Sequence, residues 1–330
     1  MIKSSVFLFL VIGLLAVTEA SRSGDQSVSI KRFSQSPDGS NQYLIWNEDT
    51  YILVDAGFGD VTYTNNLINE MIEFGATIDN LAMIFITHAH PDHYGGVPIL
   101  ARHFPNTLVT VADTDIRNDL VNSAAVFFPN STYGWRFVNV YGDSDKETLN
   151  GLGLVIRTGF PRAESEHYSM LRQRDDNWVI TGDALYIGVH PYLGPTIDED
   201  ALINWYNFTL NDVLDINGAF GLDTFTFYYP GHGLGGANDR VKDLSDYLQE
   251  FHELLLFCRG SIHYTLPEIK QKLIDNHPNY VGADLLDLMV QNPNWARLQV
   301  ENPCPYESSM NSSSLLGVSL FLMFFVLMLF

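Results

Sequence analysis

An apolar run, Leu81 to Ile86, passes directly into His88-Ala89-His90-Pro91-Asp92-His93, which sets three imidazoles and one carboxylate within six residues. A run of that length and composition reads as a buried strand, so the cluster stands where a strand leaves the core. His88 and His90, two positions apart, point the same way at the strand end. Pro91 bends the chain so that Asp92 and His93 reach the same space. Neutral imidazole and carboxylate are the ligands that Zn²⁺ takes when thiolates are scarce, and this chain of 330 residues has only two cysteines against ten histidines. The local pattern therefore points to a metal site built from His and Asp.

The rest of the chain can bury a full-sized core around such a site. Hydrophobic residues make up 46% and charged residues 17%, a globular balance. With 18 Lys plus Arg against 39 Asp plus Glu the formal charge is -21, which repels phosphate backbones and anionic membrane surfaces. That field argues against nucleic acid as a partner and leaves a small molecule as the expected substrate. No Gly-x-Ser-x-Gly elbow supplies a serine nucleophile, and no glycine-rich phosphate loop is present.

Short β-rich runs (Tyr43 to Trp46, Tyr51 to Val54) separated by Pro37-Asp38-Gly39-Ser40 and Asn47-Glu48-Asp49 predict an antiparallel meander at the start. Val61 to Phe74 carries a helical apolar face at 67, 68, 71, 72 and 74. Further strands are expected at Leu108 to Val111, Phe137 to Tyr141, Leu152 to Arg157, Trp178 to Thr181 and Thr224 to Tyr229, and Asn238 to Leu298 reads as three helices broken at Gly260 and Asn276-His277-Pro278. No linker or internal repeat divides this stretch. The pattern is a layered α/β fold with its site at strand ends.

Both ends read as targeting segments. Val6 to Val17 behind Lys3, closed by Thr18-Glu19-Ala20, has the layout of a cleavable signal peptide over residues 1–20. Leu315 to Phe330 is uncharged and follows the small polar stretch Ser308 to Ser314, as in a GPI signal or a tail anchor over 311–330; Ser308, Ser309, Asn311 and Ser312 are the attachment choices for a lipid. Membrane contact is expected only through that tail or lipid. Sequons at Asn130, Asn207 and Asn311 fit passage through the secretory pathway to the cell surface or outside. There Cys258 and Cys304 would be each other's partner, two buried thiols being the alternative.

His-x-His-x-Asp-His after an apolar strand resembles the signature of the metallo-β-lactamase superfamily. The later motifs follow in order: Asp55 in Leu53-Val54-Asp55-Ala56-Gly57, His167, Asp183 in Thr181-Gly182-Asp183-Ala184, and His232 in Pro230-Gly231-His232-Gly233. The resemblance covers about Val28 to Leu256. It implies a four-layer αββα sandwich over 21–237, extended by helices over 238–310. It implies two Zn²⁺, or another divalent metal, one bound by His88, His90 and His167 and the second by Asp92, His93 and His232, with Asp183 bridging. Asp55 would orient a ligand histidine, and Asp92 would also aim the attacking water. His167 departs from the family pattern at both neighbours, Glu166 and Tyr168, and His190 is its rival. His103, His252, His263 and His277 have no motif around them.

The activity so implied is hydrolysis of an ester, thioester, lactone or phosphodiester. True β-lactamases of the commonest dizinc kind place a Cys where this chain has Asp183, which argues against that task. A mononuclear iron oxidoreductase of the persulfide dioxygenase kind, and a silent binding module that keeps its metals for folding, are the alternatives. Phe58, Tyr94, Tyr168, Tyr186 and Tyr192 lie near the expected mouth and could line a substrate cleft or belong to the core.

Overall fold

The structure is a computed structural model that describes residues 28–135, 138–141, 149, 151–173, 178–210, 227–259 and 262–304. The expected signal segment, the hydrophobic tail and the Asn311 sequon lie outside the described residues.

The first sheet opens with the meander: β1 (Ser29–Ser34), β2 (Asn41–Trp46) and β3 (Tyr51–Val54) pair antiparallel. It continues parallel through β4 (Leu81–Ile86), β5 (Leu108–Val111) and β6 (Asn139–Val140). The parallel crossovers run through α1 (Val61–Glu73), then α2 (Pro91–Tyr94) and α3 (Val97–His103), then α4 (Thr114–Phe127). Asp60 caps α1 by accepting the Tyr63 N–H, which fixes where the helix begins. Leu67, Ile68 and Met71 face inward as the period predicts, whereas Ile72 is exposed.

The second sheet has the order β10-β9-β8-β7, from β7 (Leu154–Arg157), β8 (Met170–Gln173), β9 (Trp178–Ile187) and β10 (Phe227–Gly233). All ten residues of β9 are buried, as a strand covered on both faces requires. Along it Trp178 and Ile180 join the core shared with the first sheet, while Val179 and Leu185 join a second core under the C-terminal helices. Alternate residues thus glue sheet to sheet and sheet to helix, which produces the four layers. The second core is completed by α5 (Glu199–Asn204), α6 (Asn238–Leu256), α7 (Leu266–Asn276), α8 (Leu285–Val290) and α9 (Pro293–Glu301). A short hairpin, β11 (Cys258–Arg259) with β12 (Ile262–His263), follows α6.

Several expectations shift. The last of the three expected helices is two, because Asn292 caps the Asn294 N–H and Pro293 takes the first helical position, which ends α8 and restarts the chain as α9. The strand expected at Trp178 to Thr181 runs on to Ile187, and the one expected to end at Tyr229 runs on to Gly233. Helix α4 and strand β8 carry no strong period and are found only in the structure. Cys258 and Cys304 form a disulfide, with Cα atoms 5.6 Å apart, tying the hairpin to the end of α9.

Candidate metal centre

Loops at the ends of β3 and β4, the connection between β7 and β8, and residues within β9 and β10 carry the site. Asp55 follows β3 with φ 63°, a left-handed conformation in which Asp is tolerated better than most residues. Its buried carboxylate accepts the Thr87 N–H at 2.8 Å and the Thr87 hydroxyl at 3.1 and 2.9 Å, and pairs with His93 Nδ1 at 2.8 Å. Thr87 Oγ1 in turn lies 3.0 Å from His88 Nδ1. One carboxylate therefore fixes two imidazoles, directly and through a hydroxyl, and leaves the Nε2 atoms of His88 and His93 facing the site. His232 is held the same way by its Nδ1–H, which donates to the Asp38 carbonyl at 2.8 Å.

Pro91 at the first position of α2 starts the turn that carries Asp92 and His93 inward, and Ser40 donates to the Asp92 carbonyl at 2.6 Å. The pair Gly95-Gly96 lets this turn press on the loop after β3: a Cβ at Gly95 would meet the Phe58 carbonyl oxygen at 2.1 Å. At Gly231 a Cβ would fall 1.8 Å from Asp183 Oδ1, so only glycine leaves room for that carboxylate beside β10.

The side chains converge on two adjoining groups. His88, His90, Glu164 and Asp183 bring donor atoms within 4.8 Å of one another, and so do Asp92, His93 and His232. Asp183 joins the two: its Oδ1 is 3.1 Å from His93 Nε2, and its Oδ2 is 3.7 Å from His88 Nε2 and 3.4 Å from His232 Nε2. His232 Nε2 is also 3.2 Å from Asp92 Oδ2. His90 Nδ1 lies 2.6 Å from Glu164 Oε1. Despite this crowding, His88 Nε2, His93 Nε2, Glu164 Oε1 and Asp183 Oδ1 are buried with no hydrogen-bond partner. Buried polar atoms are almost always satisfied, and four such atoms on residues whose donor atoms cluster within 4.8 Å fit a divalent cation. The residues present thus suit a metal.

Electrostatics agree with that arrangement. Burial disfavours charge on every member, yet Asp183 and Asp92 are held well below the usual carboxylate range because His93 and His232 outweigh it. Burial likewise opposes charge on His93 and His232, but Asp183 and Asp92 overcome it and push His232 up to about 10. His88, deeply buried and beside His93, is pushed down. Excess negative charge that recruits protons onto imidazoles is the mark of a cavity suited to a cation.

Of the residues expected from the sequence, His88, His90, Asp92, His93, Asp183 and His232 come together, and Asp55 stands behind them. His167 does not join them: its half-exposed ring turns to Asp119 of α4, with Nδ1 2.7 Å from Asp119 Oδ2. Glu164, three residues upstream, is in the group instead. The reason is register, since Ser169 N and Oγ both donate to the Thr87 carbonyl at 2.9 Å, and that clasp sets which upstream side chain reaches the floor. His190 is elsewhere, buried against Tyr247 and Tyr280 with Nδ1 2.8 Å from the Tyr247 hydroxyl. Tyr186 is a residue whose part the sequence did not disclose: its hydroxyl donates to Asp183 Oδ2 at 2.7 Å, and its ring stacks on His232 with centroids 4.8 Å apart. Of the five aromatics that could line the cleft or belong to the core, Phe58, Tyr186 and Tyr192 line the cleft, whereas Tyr94 belongs to the core and the buried Tyr168 stacks on Phe160.

The profile of the metallo-beta-lactamase superfamily matches residues 36–232, more than half of the sequence. The chain belongs to that superfamily. Its members are mostly hydrolytic enzymes that bind divalent metals, typically zinc. A lactamase-like protein, adaB, from Aspergillus niger is 25% identical over 213 residues, 64% of this chain and 54% of its own length. The chain thus spans about half the length of that curated relative. An atrochrysone carboxyl ACP thioesterase from Aspergillus chevalieri is 37% identical over 68 residues, 21% of each chain. Among solved structures, a metallo-beta-lactamase family protein from Thermus thermophilus superposes with a TM-score of 0.53 at 17% identity, covering 80% of this chain and 93% of that one.

Proposed function

We propose that this chain is a hydrolase that works with two divalent cations, zinc in the simplest form, on an ester, thioester or lactone whose bulk is uncharged and apolar. The supporting observation is the pair of donor groups that share Asp183 at the floor of a cavity of about 920 Å³. His88, His90, Glu164 and Asp183 would hold one ion, and Asp92, His93, His232 and Asp183 the other. Bound there, such cations supply Lewis-acid activation of water and of the substrate's acyl oxygen.

The chain's own residues do the rest. Asp92, a third exposed and kept ionised, lines the cavity and can accept the proton of the attacking water. Asp55, Thr87 and the Asp38 carbonyl hold the imidazoles in one tautomer. Phe58, Val126, Phe127, Leu285 and Leu288 give the cavity apolar walls that can receive an acyl or alkyl group. Arg162, the lining Lys or Arg among the described residues, is already paired with Glu166 at 2.9 Å and Asp198 at 2.8 Å. The walls therefore favour a neutral substrate over a phosphodiester. The local similarity to a thioesterase supports acyl chemistry, and Asp183 in place of a thiolate speaks against lactam hydrolysis as the native task.

Secretion and cell-surface display complete the reading. They rest on the two terminal segments, on the disulfide, which persists in oxidising compartments, and on exposed Asn130 and Asn207 in two sequons. The test is turnover of metal-loaded protein against panels of esters, thioesters, lactones, lactams and phosphodiesters. Chelator-sensitive hydrolysis of apolar acyl substrates is expected. One iron per chain with oxygen-dependent oxidation of a persulfide, or no turnover at all, would overturn the proposal.

A further inference from the structure

We infer that Glu164 is a metal ligand in the place that the family gives to a histidine, and that it makes the first position one for an oxygen-preferring divalent cation, with Mn²⁺ as the probe. The inference rests on the metal reading above but not on the reaction proposed. Glu164 is 2% exposed, far more enclosed than a carboxylate tolerates without compensation. Its Oε2 accepts from the Ser165 hydroxyl at 2.6 Å. Its Oε1 has no hydrogen-bond partner although His90 Nδ1 stands 2.6 Å away, and His88 Nε2 is 3.7 Å from Oε2. Three of the four orphaned site atoms, His88 Nε2, Glu164 Oε1 and Asp183 Oδ1, belong to this one group. A cation held by this group would give His88 Nε2 a partner and offset the two buried carboxylates.

His167 stands outside both donor groups: its Nδ1 pairs with Asp119 on the cavity wall, and its ring does not come within the 4.8 Å cluster. The clasp of Ser169 on Thr87 and the bridge between His88 and Tyr168 hold the segment in that register. The donor set at the first position is then two imidazoles and two carboxylates, in place of three imidazoles and one carboxylate. Exchanging a borderline nitrogen donor for a hard, anionic oxygen donor shifts preference away from zinc toward cations such as Mn²⁺. It also makes the two positions nearly alike, since Asp92, His93 and His232 with the adjoining Asp183 form the same combination. A site with three separate carboxylates, Asp92, Glu164 and Asp183, further offsets the charge of two dications.

The test is metal binding by the full chain, stripped with a chelator and titrated with Mn²⁺ and with Zn²⁺, read by electron paramagnetic resonance and by metal content after desalting. Wild type is expected to take two Mn²⁺ with the signal of a spin-coupled pair. Glu164→His should lower the affinity for Mn²⁺ relative to Zn²⁺ by about tenfold or more, the scale on which ligand surroundings tune metal affinity. Glu164→Gln, which keeps shape and removes the charge, should leave one ion per chain. Two ions retained by Glu164→Gln, or a Mn²⁺ to Zn²⁺ affinity ratio in Glu164→His within about twofold of wild type, would overturn the inference; if Glu164→His does not fold, the Gln variant alone decides. Because no readout is turnover, failure to hydrolyse any substrate would count against the proposed reaction and leave this result standing.

Discussion

Asp55→Asn is the substitution that examines the architecture behind the metal centre most sharply. The carboxamide has the shape of the carboxylate, so the Thr87 N–H can still donate to Oδ1, which it now reaches at 2.8 Å. The other oxygen becomes an NH₂ facing His93 Nδ1, which the carboxylate approaches at 2.8 Å. Two N–H groups cannot point at one another there, so the imidazole must move its proton to Nε2, the atom 3.1 Å from Asp183 Oδ1. That places a hydrogen where a cation needs a lone pair. Loss of such an orienting partner lowers metal affinity by about 10- to 100-fold, or about 1.4 to 2.8 kcal/mol. Chelator competition with zinc measures it directly, with the melting of the metal-free protein as a control for folding. The second metal should weaken selectively while the metal-free fold stays intact. Wild-type affinity for both metals in Asp55→Asn would refute the claim that Asp55 sets the His93 tautomer.

Tyr186→Phe keeps the ring that stacks on His232 and removes the hydrogen bond to Asp183; hydrogen bonds to charged groups contribute about 1.5 to 3 kcal/mol, so metal affinity should change measurably while the fold holds, and an unchanged titration would show that the hydroxyl is idle. Burial, with His277 and Lys270 nearby, pushes His190 down to about 4. The unfolded chain therefore takes up that proton first, so stability is full above about pH 6.5 and falls by about 3 kcal/mol as pH drops to about 4. Urea unfolding of wild type and His190→Gln across that window should differ in slope, and parallel curves would contradict the assignment. Cys304→Ser opens a loop with a sequence separation of 46, which by chain entropy removes about 4 kcal/mol; a melting temperature equal to that of the oxidised wild type would show that the disulfide adds nothing.

The parts of the centre that the sequence disclosed are those built from neighbours in the chain. His88, His90, Asp92 and His93 come from one strand end and one Pro-initiated turn, so their convergence is local. Asp183 and His232 were legible because each sits in a glycine-flanked strand segment, and Gly231 has to be glycine to leave space for Asp183. Glu164 was not legible. Nothing near it marks a ligand, and its selection over His167 depends on a clasp between residues 82 apart, Ser169 and Thr87. Helix α4 was missed because only Ile116, Leu120 and Ala124 are buried on it, a stripe too thin to outweigh its Asn, Asp and Ser; the Asp113 cap was the signal that could have found it. Strand β8 was missed because buried Arg172 and Gln173 break the apolar run by which strands are recognised.

Metal content of the purified chain, paired with anomalous diffraction from its crystals, bears most directly on the whole account. Two divalent ions are expected, one among His88, His90, Glu164 and Asp183 and one among Asp92, His93, His232 and Asp183, both removed by a chelator. Ion-free protein in which His93 Nε2 and Asp183 Oδ1 are satisfied by each other or by water would contradict it.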